Sequence, residues 1–556
     1  MHRQYRSDVA AADGSGNEGW PLWQTIAAFM AGFVLMTWPW LSGRVAIPWD
    51  AKATFLPQVQ FLAQSLARGE APWWNPFIFS GLPQIADPQS MIFSPPFFLL
   101  ALVNRDPGPW AGDLTVLATM QLAGIGLILW FRDREWHWAG ALLAALAFVF
   151  GAAMSWRIQH WGQVLSMCYL PWILFFLDRA IDRRSWVNGI CAGVIAAFLV
   201  LGRDQVALMA VYLLIGWVIW QWCTAPSPWK AFRGSIGPLT AAGIIGLALV
   251  ALPILMTIVL AAESNRPSID YASAGAGSLH PALLATMVIP QVFSAASGVM
   301  GEFWGPPSFT WQGTGLYTAQ NVGQSYIGAL PLLLILIGTG TGRLWHRDIR
   351  YFSFAFLLTV VYALGWYTPF FRVAHAWLPG VDLYRRPADA VFMIGGLGAI
   401  LAGYVLHTIF VEPWNRPGRK AFVLVAIALA AAYVVAIISA MAFGRLHQVI
   451  TPLVLATASL GTAALALWWA APRIALIPTC VGLLLAGVTA GDLAFNNGPN
   501  SSSALQPETF AVLETMSTKH PLALLKSLVV DNDTRRHRIE LVGRGFHWPN
   551  ASITHR

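Results

Sequence analysis

Charge is scarce in this sequence. Asp, Glu, Lys and Arg make up 11% of its 556 residues, while 56% are hydrophobic. Soluble domains carry roughly twice that charged fraction, so the body of the chain is not a soluble enzyme. Cysteine is scarcer still. Cys168, Cys191, Cys223 and Cys480 all lie inside or at the edge of apolar runs, with no CxxC pair, which supports neither a disulfide framework nor a zinc site. A catalytic triad, a Walker loop and a dinucleotide fingerprint are also missing. GTGTG at 338–342 ends an apolar run and lacks the lysine of a phosphate loop. The net charge of +8 could suggest nucleic acid, but the basic residues sit in short connections between apolar runs, where they act as topology signals.

What is abundant is apolar sequence in runs near the ~20 residues needed to cross a bilayer as a helix. About thirteen such spans are expected, at 21–41, 112–131, 138–156, 164–178, 187–201, 205–223, 236–262, 326–341, 351–367, 390–411, 421–443, 450–471 and 474–491. The first is too long for a signal-peptide core and has no small-residue cleavage pattern, so it reads as a retained helix. His2-Arg3-Arg6, Arg132/Arg134, Arg179/Arg183/Arg184, Lys230/Arg233, Arg343/Arg347/Arg350, Arg416/Arg419/Lys420 and Arg473 fall in alternate connections. The positive-inside rule makes those cytoplasmic, with the N-terminus inside and the C-terminus outside. The apolar segment Met91 to Val103 is short and interrupted by SPP; counted as a span it would reverse the alternation, so it is expected to be a re-entrant or interfacial hairpin. The resulting organisation is an N-terminal cytoplasmic segment (1–20), a transmembrane domain (21–491) with extracytoplasmic loops at 42–111 and 263–325, and a tail (492–556). In the tail, Pro507 to Met516 is expected to open a short helix and Arg538 to Gly543 to form a strand. So short a mixed α/β tail rarely builds its own core; it either packs on the membrane domain or belongs to an incomplete domain, and the second is favoured.

The polar clusters that topology leaves unexplained gather on the outer face. The densest is PWDAKATFLPQVQFLAQSLARGEAPWWNPFIFSGLPQIADPQSMIFSPP at 48–96, where prolines and glycines fix the backbone and tryptophans suit a lipid–water interface. Asp50, just beyond the first span, is placed to act as a base; alternatively it is a solvated aspartate paired with Lys52. Asp87 in ADPQS is either a turn cap or a second acid. Trp73, Trp74, Asn75 and Gln89 could stack on and hydrogen-bond a sugar, although interfacial anchoring explains the tryptophans equally well. Glu70 reads as a solvated residue of a helix-ending turn. Arg157 and His160, in RIQHWGQ, suit a phosphate. Arg203 and Asp204 are expected to pair with each other. Arg385 and Arg386 run against the charge bias of the outer face and are candidates for a donor phosphate, the competing explanation being pairing with Asp382 and Asp389. The 263–325 loop, with Glu263, Arg266, Asp270, Tyr271, His280, Glu302, Trp304, Trp311, Gln320 and Asn321, is long enough to be a lid or binding surface. Its SAGAGS and SAASG stretches suggest mobility.

The 48–96 block, with SYIGALPLLL at 325–334, LYRRPADAVF at 383–392 and GDLAFNN at 491–497, resembles the bacterial membrane protein YfhO family, which is related to the large membrane glycosyltransferases of the GT-C class. WD stands here where GD is more usual, and RRP where relatives often show R-P-R. The resemblance implies an all-α, GT-C-like membrane bundle in a bacterial cytoplasmic membrane. It also implies a polyprenyl-phosphate-linked sugar donor and transfer to an extracytoplasmic glycan or polymer of the cell envelope, with Asp50 as the first-loop acid. Such a reaction needs one base, and cations to hold the leaving phosphate. No cofactor is demanded. A divalent metal, Mg or Mn, could be shared by Asp50 and Asp87, but two acids are a thin ligand set. The alternatives are a lipid-linked glycan polymerase or ligase, a transporter, and a non-catalytic scaffold of envelope assembly. Transport is weakened by the near absence of mid-span charge and of a repeat.

Overall fold

In a computed structural model, residues 20–78, 81–264, 268–294, 303–306, 309, 319–412, 418–514 and 550–554 are described. The segments 1–19 and 413–417 lie outside these residues, as do Arg266, Glu302, Trp311 and the 538–543 strand. The protein is an all-α, multi-pass membrane protein. Among the described residues, ten helices are long and apolar enough to cross a bilayer. In chain order the apolar helices are α1 (Leu22–Leu41), α2 (Pro109–Asp133), α3 (Trp138–Trp156), α4 (Trp161–Asp182), α5 (Trp186–Val200), α6 (Gln205–Thr224), α7 (Pro228–Glu263), α8 (Ala329–Gly340), α9 (Arg350–Ala363), α10 (Val391–Val411), α11 (Arg419–Ala442), α12 (Leu446–Ala470) and α13 (Pro478–Asn497). Only α5, α8 and α9 fall short of full span length. These helices occupy the thirteen expected runs. The largest shift is in α7, which begins at Pro228, a proline suited to a first turn, and runs for 36 residues.

Helices α3 and α10 form the centre of the bundle. Both are apolar on every side and almost wholly buried, as expected for helices enclosed by others. They meet closely because glycines face each other: a Cβ on Gly140 would stand 2.3 Å from the Gly403 carbonyl oxygen. Small residues at such crossings let membrane helices pack backbone to backbone. Helices α7, α11 and α12 stay at the rim, with most of their apolar side chains exposed or only partly buried, the surface a lipid environment would cover.

Contacts fix which helix ends lie together. At one end, Arg157 meets Asp389 and Trp156 meets Asn497, while Trp40 reaches Ser503 and Gln205 reaches Tyr362. At the other, Arg134 meets Asp178, Arg343 meets Thr408 and His346 meets Tyr404. The chain alternates between these ends, as the charge pattern requires. The described parts of both long loops and of the tail lie at the first, called here the site end.

The 42–108 loop is built rather than loose. It holds the helices Leu56–Ala67 and Pro95–Val103 and a hairpin pairing Trp74–Asn75 with Leu82–Pro83. At nine residues, Pro95–Val103 rises only ~14 Å and does not cross. Glu70 pairs with Arg68 at the exposed end of the first of these helices. The described tail packs on the same loop: Ala46 bridges to Leu505, Phe510 and Leu513 are buried beside Ala46, and Thr554 bonds Gln60. Pro507–Leu513 forms a 3-10 turn where a short helix is expected. Within the 263–325 loop, the SAGAGS stretch includes the end of a short helix and a close backbone contact. Ser273–Gly275 belongs to the helix Tyr271–Gly275, and Gly277 packs against the Arg386 backbone.

Two blocks of the family-like pattern, SYIGALPLLL and GDLAFNN, turn out to hold each other. Tyr326 donates its hydroxyl to Asp492, which also accepts the Ala329 N–H at the start of α8, and Asn497 donates to the carbonyls of Phe150 and Tyr326. Their polar residues join helices.

Candidate functional site

Asp50 opens the site. It precedes a π-helical turn, Ala51–Phe55, but its carboxylate makes no capping bond there. Most acidic neighbours are used differently. Asp87 accepts the Gln89 N–H and closes an Asx turn, Asp204 accepts the Ala207 N–H at the start of α6, and Asp270 caps Tyr271–Gly275. Asp50 instead faces His160, with Oδ2 3.0 Å from Nδ1, and its side chain is 49% exposed. Its other oxygen has no partner among the described residues.

The corner that carries Asp50 is clamped from below. Asp113, buried in α2 just beyond its first turn, accepts the Ile47 N–H at 3.0 Å and pairs with Lys52. Lys52 is itself fully buried, over the rings of Trp161 and Phe510. The residues on either side of Trp49-Asp50 are therefore held by one carboxylate, and Lys52 is the partner of Asp113 rather than of Asp50. Trp49 takes a left-handed backbone (φ 53) and donates its indole N–H to the Ser501 carbonyl.

Behind His160 lies a closed ion-pair network. The Arg157 guanidinium donates to Asp389 at 2.8 Å and to Gln163 at 2.7 Å, and Gln163 donates to the other Asp389 oxygen at 2.9 Å. Arg157 is fully buried, with its two terminal nitrogens on Asp389 and Gln163 and its Nε without a partner. Arg386 reaches the same carboxylate only at 3.8 Å and keeps 26% of its side chain exposed. Its backbone is left-handed (φ 70), which costs about 1–2 kcal/mol in a residue with a Cβ. Gln205 offsets this. In the amide orientation that satisfies both its ends, it donates to the carbonyls of Arg385 (2.8 Å) and Arg386 (2.9 Å) and accepts from the Tyr362 hydroxyl. Trp49, Met91, Arg203 and Arg386 are all non-glycine residues with positive φ, and strained backbone of this kind gathers at functional sites.

The electrostatics favour an ionised Asp50. Burial pushes its carboxyl up, but the His160 hydrogen bond and the fields of His160, Arg386 and Arg157 outweigh burial and leave it below the ordinary value. Burial pushes His160 down, and the Arg157 and Arg386 charges add to this against the pull of Asp50. A neutral imidazole then donates Nδ1–H to a carboxylate.

The other expected site residues stand apart from this pair. Arg203 and Asp204 do not pair: with φ 48 at Arg203 their side chains diverge. Arg203 donates to the carbonyls of Ala86 and Asp87 and to Thr257, while Asp204 accepts from Ser166. Burial lifts the Asp87 carboxyl above its ordinary value, against the Gln89 N–H and the Arg203 charge. Trp73 and Trp74 are half exposed on the hairpin, Trp73 stacking on Phe93 and Trp74 lying over Gly81. Asn75 is fully buried and accepts the Phe77 N–H, so it faces inward. Gln89 is exposed beside Asp87. Among the described residues no three His, Cys, Asp or Glu side chains converge as metal ligands. Asp50 lies on His160 and Asp87 in its own turn. Sequence reasoning missed the clamp of Asp113 and Lys52 and the partnership of His160 with Asp50. The one available signal was Asp113 itself, an acid inside an apolar run.

No family model and no curated protein matches the sequence. Among solved structures, the chain is similar to the archaeal oligosaccharyltransferase AglB from Archaeoglobus fulgidus, determined in complex with an inhibitory peptide and a dolichol-phosphate. The TM-score is 0.37 and the identity 12%, over 95% of this chain. The chain spans 64% of the length of that protein. A likeness this loose carries no argument about activity.

Proposed function

We propose that the protein is a GT-C-like membrane glycosyltransferase, moving a sugar from a polyprenyl-phosphate donor to a hydroxyl of an extracytoplasmic glycan or polymer. The observation that supports this most is the half-exposed Asp50 carboxylate. It is held by His160 on one oxygen, open on the other, and set beside an incompletely paired arginine at one end of a membrane bundle.

In this reading the free Asp50 oxygen takes the proton of the acceptor hydroxyl as that oxygen attacks the anomeric carbon. The bond from that carbon to the phosphate oxygen breaks, and the electron pair leaves on the lipid phosphate. A phosphate is a weak base and needs no protonating acid, only positive charge to receive it. Arg386, with Arg385 beside it, supplies that charge; Arg157 and Gln163 hold Asp389 and so keep the arginine turn in place. His160 orients Asp50 rather than binding phosphate. The exposed Trp73 and Trp74 are the sugar-facing aromatics of this proposal, with Gln89 near them. The site end faces the extracytoplasmic side of a bacterial cytoplasmic membrane, in keeping with the alternation of basic connections.

The test is transfer of labelled sugar from a panel of polyprenyl-phosphate donors in proteoliposomes. Wild type should turn over at least one donor, and Asp50→Asn should lose transfer while keeping wild-type abundance and melting. Undiminished transfer in Asp50→Asn sinks the assignment of the base. An intact wild type that turns over no donor sinks the reaction class.

A further inference from the structure

The turn that carries Arg386 does not stand on its own. The 269–279 segment of the long loop after α7 is bonded to it and to the helix before it. Ile269 donates its N–H to the Asp382 carbonyl at 2.8 Å, and its own carbonyl lies 2.9 Å from His375 Nε2. Arg386 donates its N–H to the Ala274 carbonyl at 3.4 Å, and Ala388 donates to the Gly277 carbonyl at 3.2 Å. Loop and turn form a backbone joint, with Arg386 at its middle.

Gly277 is the tightest point of that joint. A Cβ there would stand 2.3 Å from the Arg386 Cα, 2.5 Å from its Cγ and 2.7 Å from its Cβ. Those atoms belong to or adjoin the backbone and cannot swing aside as a side-chain tip can, so a methyl group would push the turn away. Gly277 is not among the glycines with positive φ. An alanine there is free of backbone strain and acts through contact alone. On the other side stands Gln205, the first residue of α6 and 2% exposed. It donates to the carbonyls of Arg385 and Arg386 and accepts from the Tyr362 hydroxyl. A left-handed arginine (φ 70) persists only where its surroundings over-determine it, and these two residues supply that constraint.

The place of Arg386 matters to more than a phosphate. Its charge, with that of Arg157, pushes both the Asp50 carboxyl and the His160 imidazolium down, while Asp50 and His160 act on each other. One guanidinium therefore faces donor and base together.

We propose that Gly277 and Gln205 are positioning residues: the 269–279 segment and the start of α6 grip the Arg386 backbone and fix where its guanidinium stands relative to Asp50. The long loop then acts on the chemistry through one arginine. The inference rests on the transfer reaction proposed above for what Arg386 does, and its test does not need that reaction.

The test is an NMR titration of Asp50 and His160 in the full chain, with isotope-labelled aspartate and histidine, in phosphatidylcholine nanodiscs. Asp50→Asn and His160→Phe assign the two signals. Arg386→Gln removes the charge and should raise both pKa values. Gly277→Ala and Gln205→Met should raise them in the same sense by less. In an Arg386→Gln background neither should add a further shift, because both act through that arginine. Gly243→Ala, whose added methyl meets nothing within 4 Å, should titrate and melt like wild type. In the transfer assay Gly277→Ala and Gln205→Met should raise the donor KM about threefold to tenfold and leave kcat near neutral pH in place, since Asp50 stays ionised there. If Gly277→Ala does not fold, Gln205→Met decides. Titrations that stay in place or move down in the folded variants, with Arg386→Gln shifted up, overturn the positioning and leave the transfer reaction standing. A full further shift on top of Arg386→Gln also overturns it, because the effect then bypasses the arginine. Unmoved titrations in Arg386→Gln itself overturn the link between that charge and the pair. Titrations shifted as expected in a protein that turns over no donor uphold the positioning and sink the reaction.

Discussion

Two carboxylates, at opposite ends of the bundle, show what distinguishes a staple from a reactive group. Asp178 accepts hydrogen bonds from Trp130 (2.8 Å), Arg134 (2.9 Å), Trp217 (2.7 Å) and Gln221 (2.8 Å), and its side chain is 6% exposed. Four donors saturate its lone pairs, and they come from α2, α4's neighbour α6 and the turn after α2, so the carboxylate locks helices together. Asp50 has one partner, His160, and half its side chain exposed. Both have arginine nearby, so positive charge is not what separates them. The difference is spare acceptor capacity: a saturated carboxylate has no oxygen to offer a substrate proton, whereas Asp50 keeps one. A similar contrast divides the arginines: both terminal nitrogens of Arg157 are hydrogen-bonded, whereas Arg386 is only loosely held.

The contrast can be broken experimentally, most strongly at the carboxylates themselves. Asp50→Asn should lower transfer by about 10²–10⁴-fold, the range for removing a general base, with no change in thermal melting. Asp178→Ala should do the reverse: it leaves Arg134 buried without its partner and should destabilise the fold by about 3–5 kcal/mol, read as a lower melting temperature, while activity per folded molecule persists. Loss of activity in both at unchanged melting would erase the distinction.

The arginines should show a smaller effect of the same kind. Arg386→Gln should raise the KM for donor by about tenfold, as expected for a lost charge-assisted contact, with little change in melting. Arg157→Gln should lower the melting temperature first, because it strands Asp389. If Arg157→Gln instead melts like wild type and binds donor poorly, the closed network has been misjudged.

The smallest effect is in pH dependence. The Asp50 carboxyl lies below its ordinary value despite burial, so wild-type transfer should hold its rate down to roughly pH 5 and fall only in stronger acid. His160 contributes to that lowering. In His160→Phe the carboxyl pKa rises, and the acidic limb of kcat/KM should move to higher pH. A limb that stays in place would show that His160 does not tune Asp50.

The pairings explain where sequence reading worked and where it failed. Arg203 and Asp204 are neighbours in the chain and were expected to pair, yet a left-handed Arg203 sends one to the 86–87 turn and the other inward as a helix cap. A pair between Lys52 and Asp50, two residues away, was the alternative reading of Asp50, but Asp113 holds Lys52 from α2. Arg157 looked like a phosphate ligand on an open face, and Asp389, 232 residues on, closes it. Asp87 is a turn cap, the alternative that the Asp-Pro step already suggested. For Arg203 and for Lys52 the nearest oppositely charged residue in sequence is not the partner in space.

The thirteen apolar runs and the alternation of their ends could be read from the chain by itself, because hydropathy and backbone satisfaction are local: a run of this length forms a helix whatever it packs against. Which polar residues stay open was decided only by the tertiary structure. A carboxylate or guanidinium becomes a staple or a reactive group according to how many donors or acceptors reach it, and those arrive from helices far apart in the sequence.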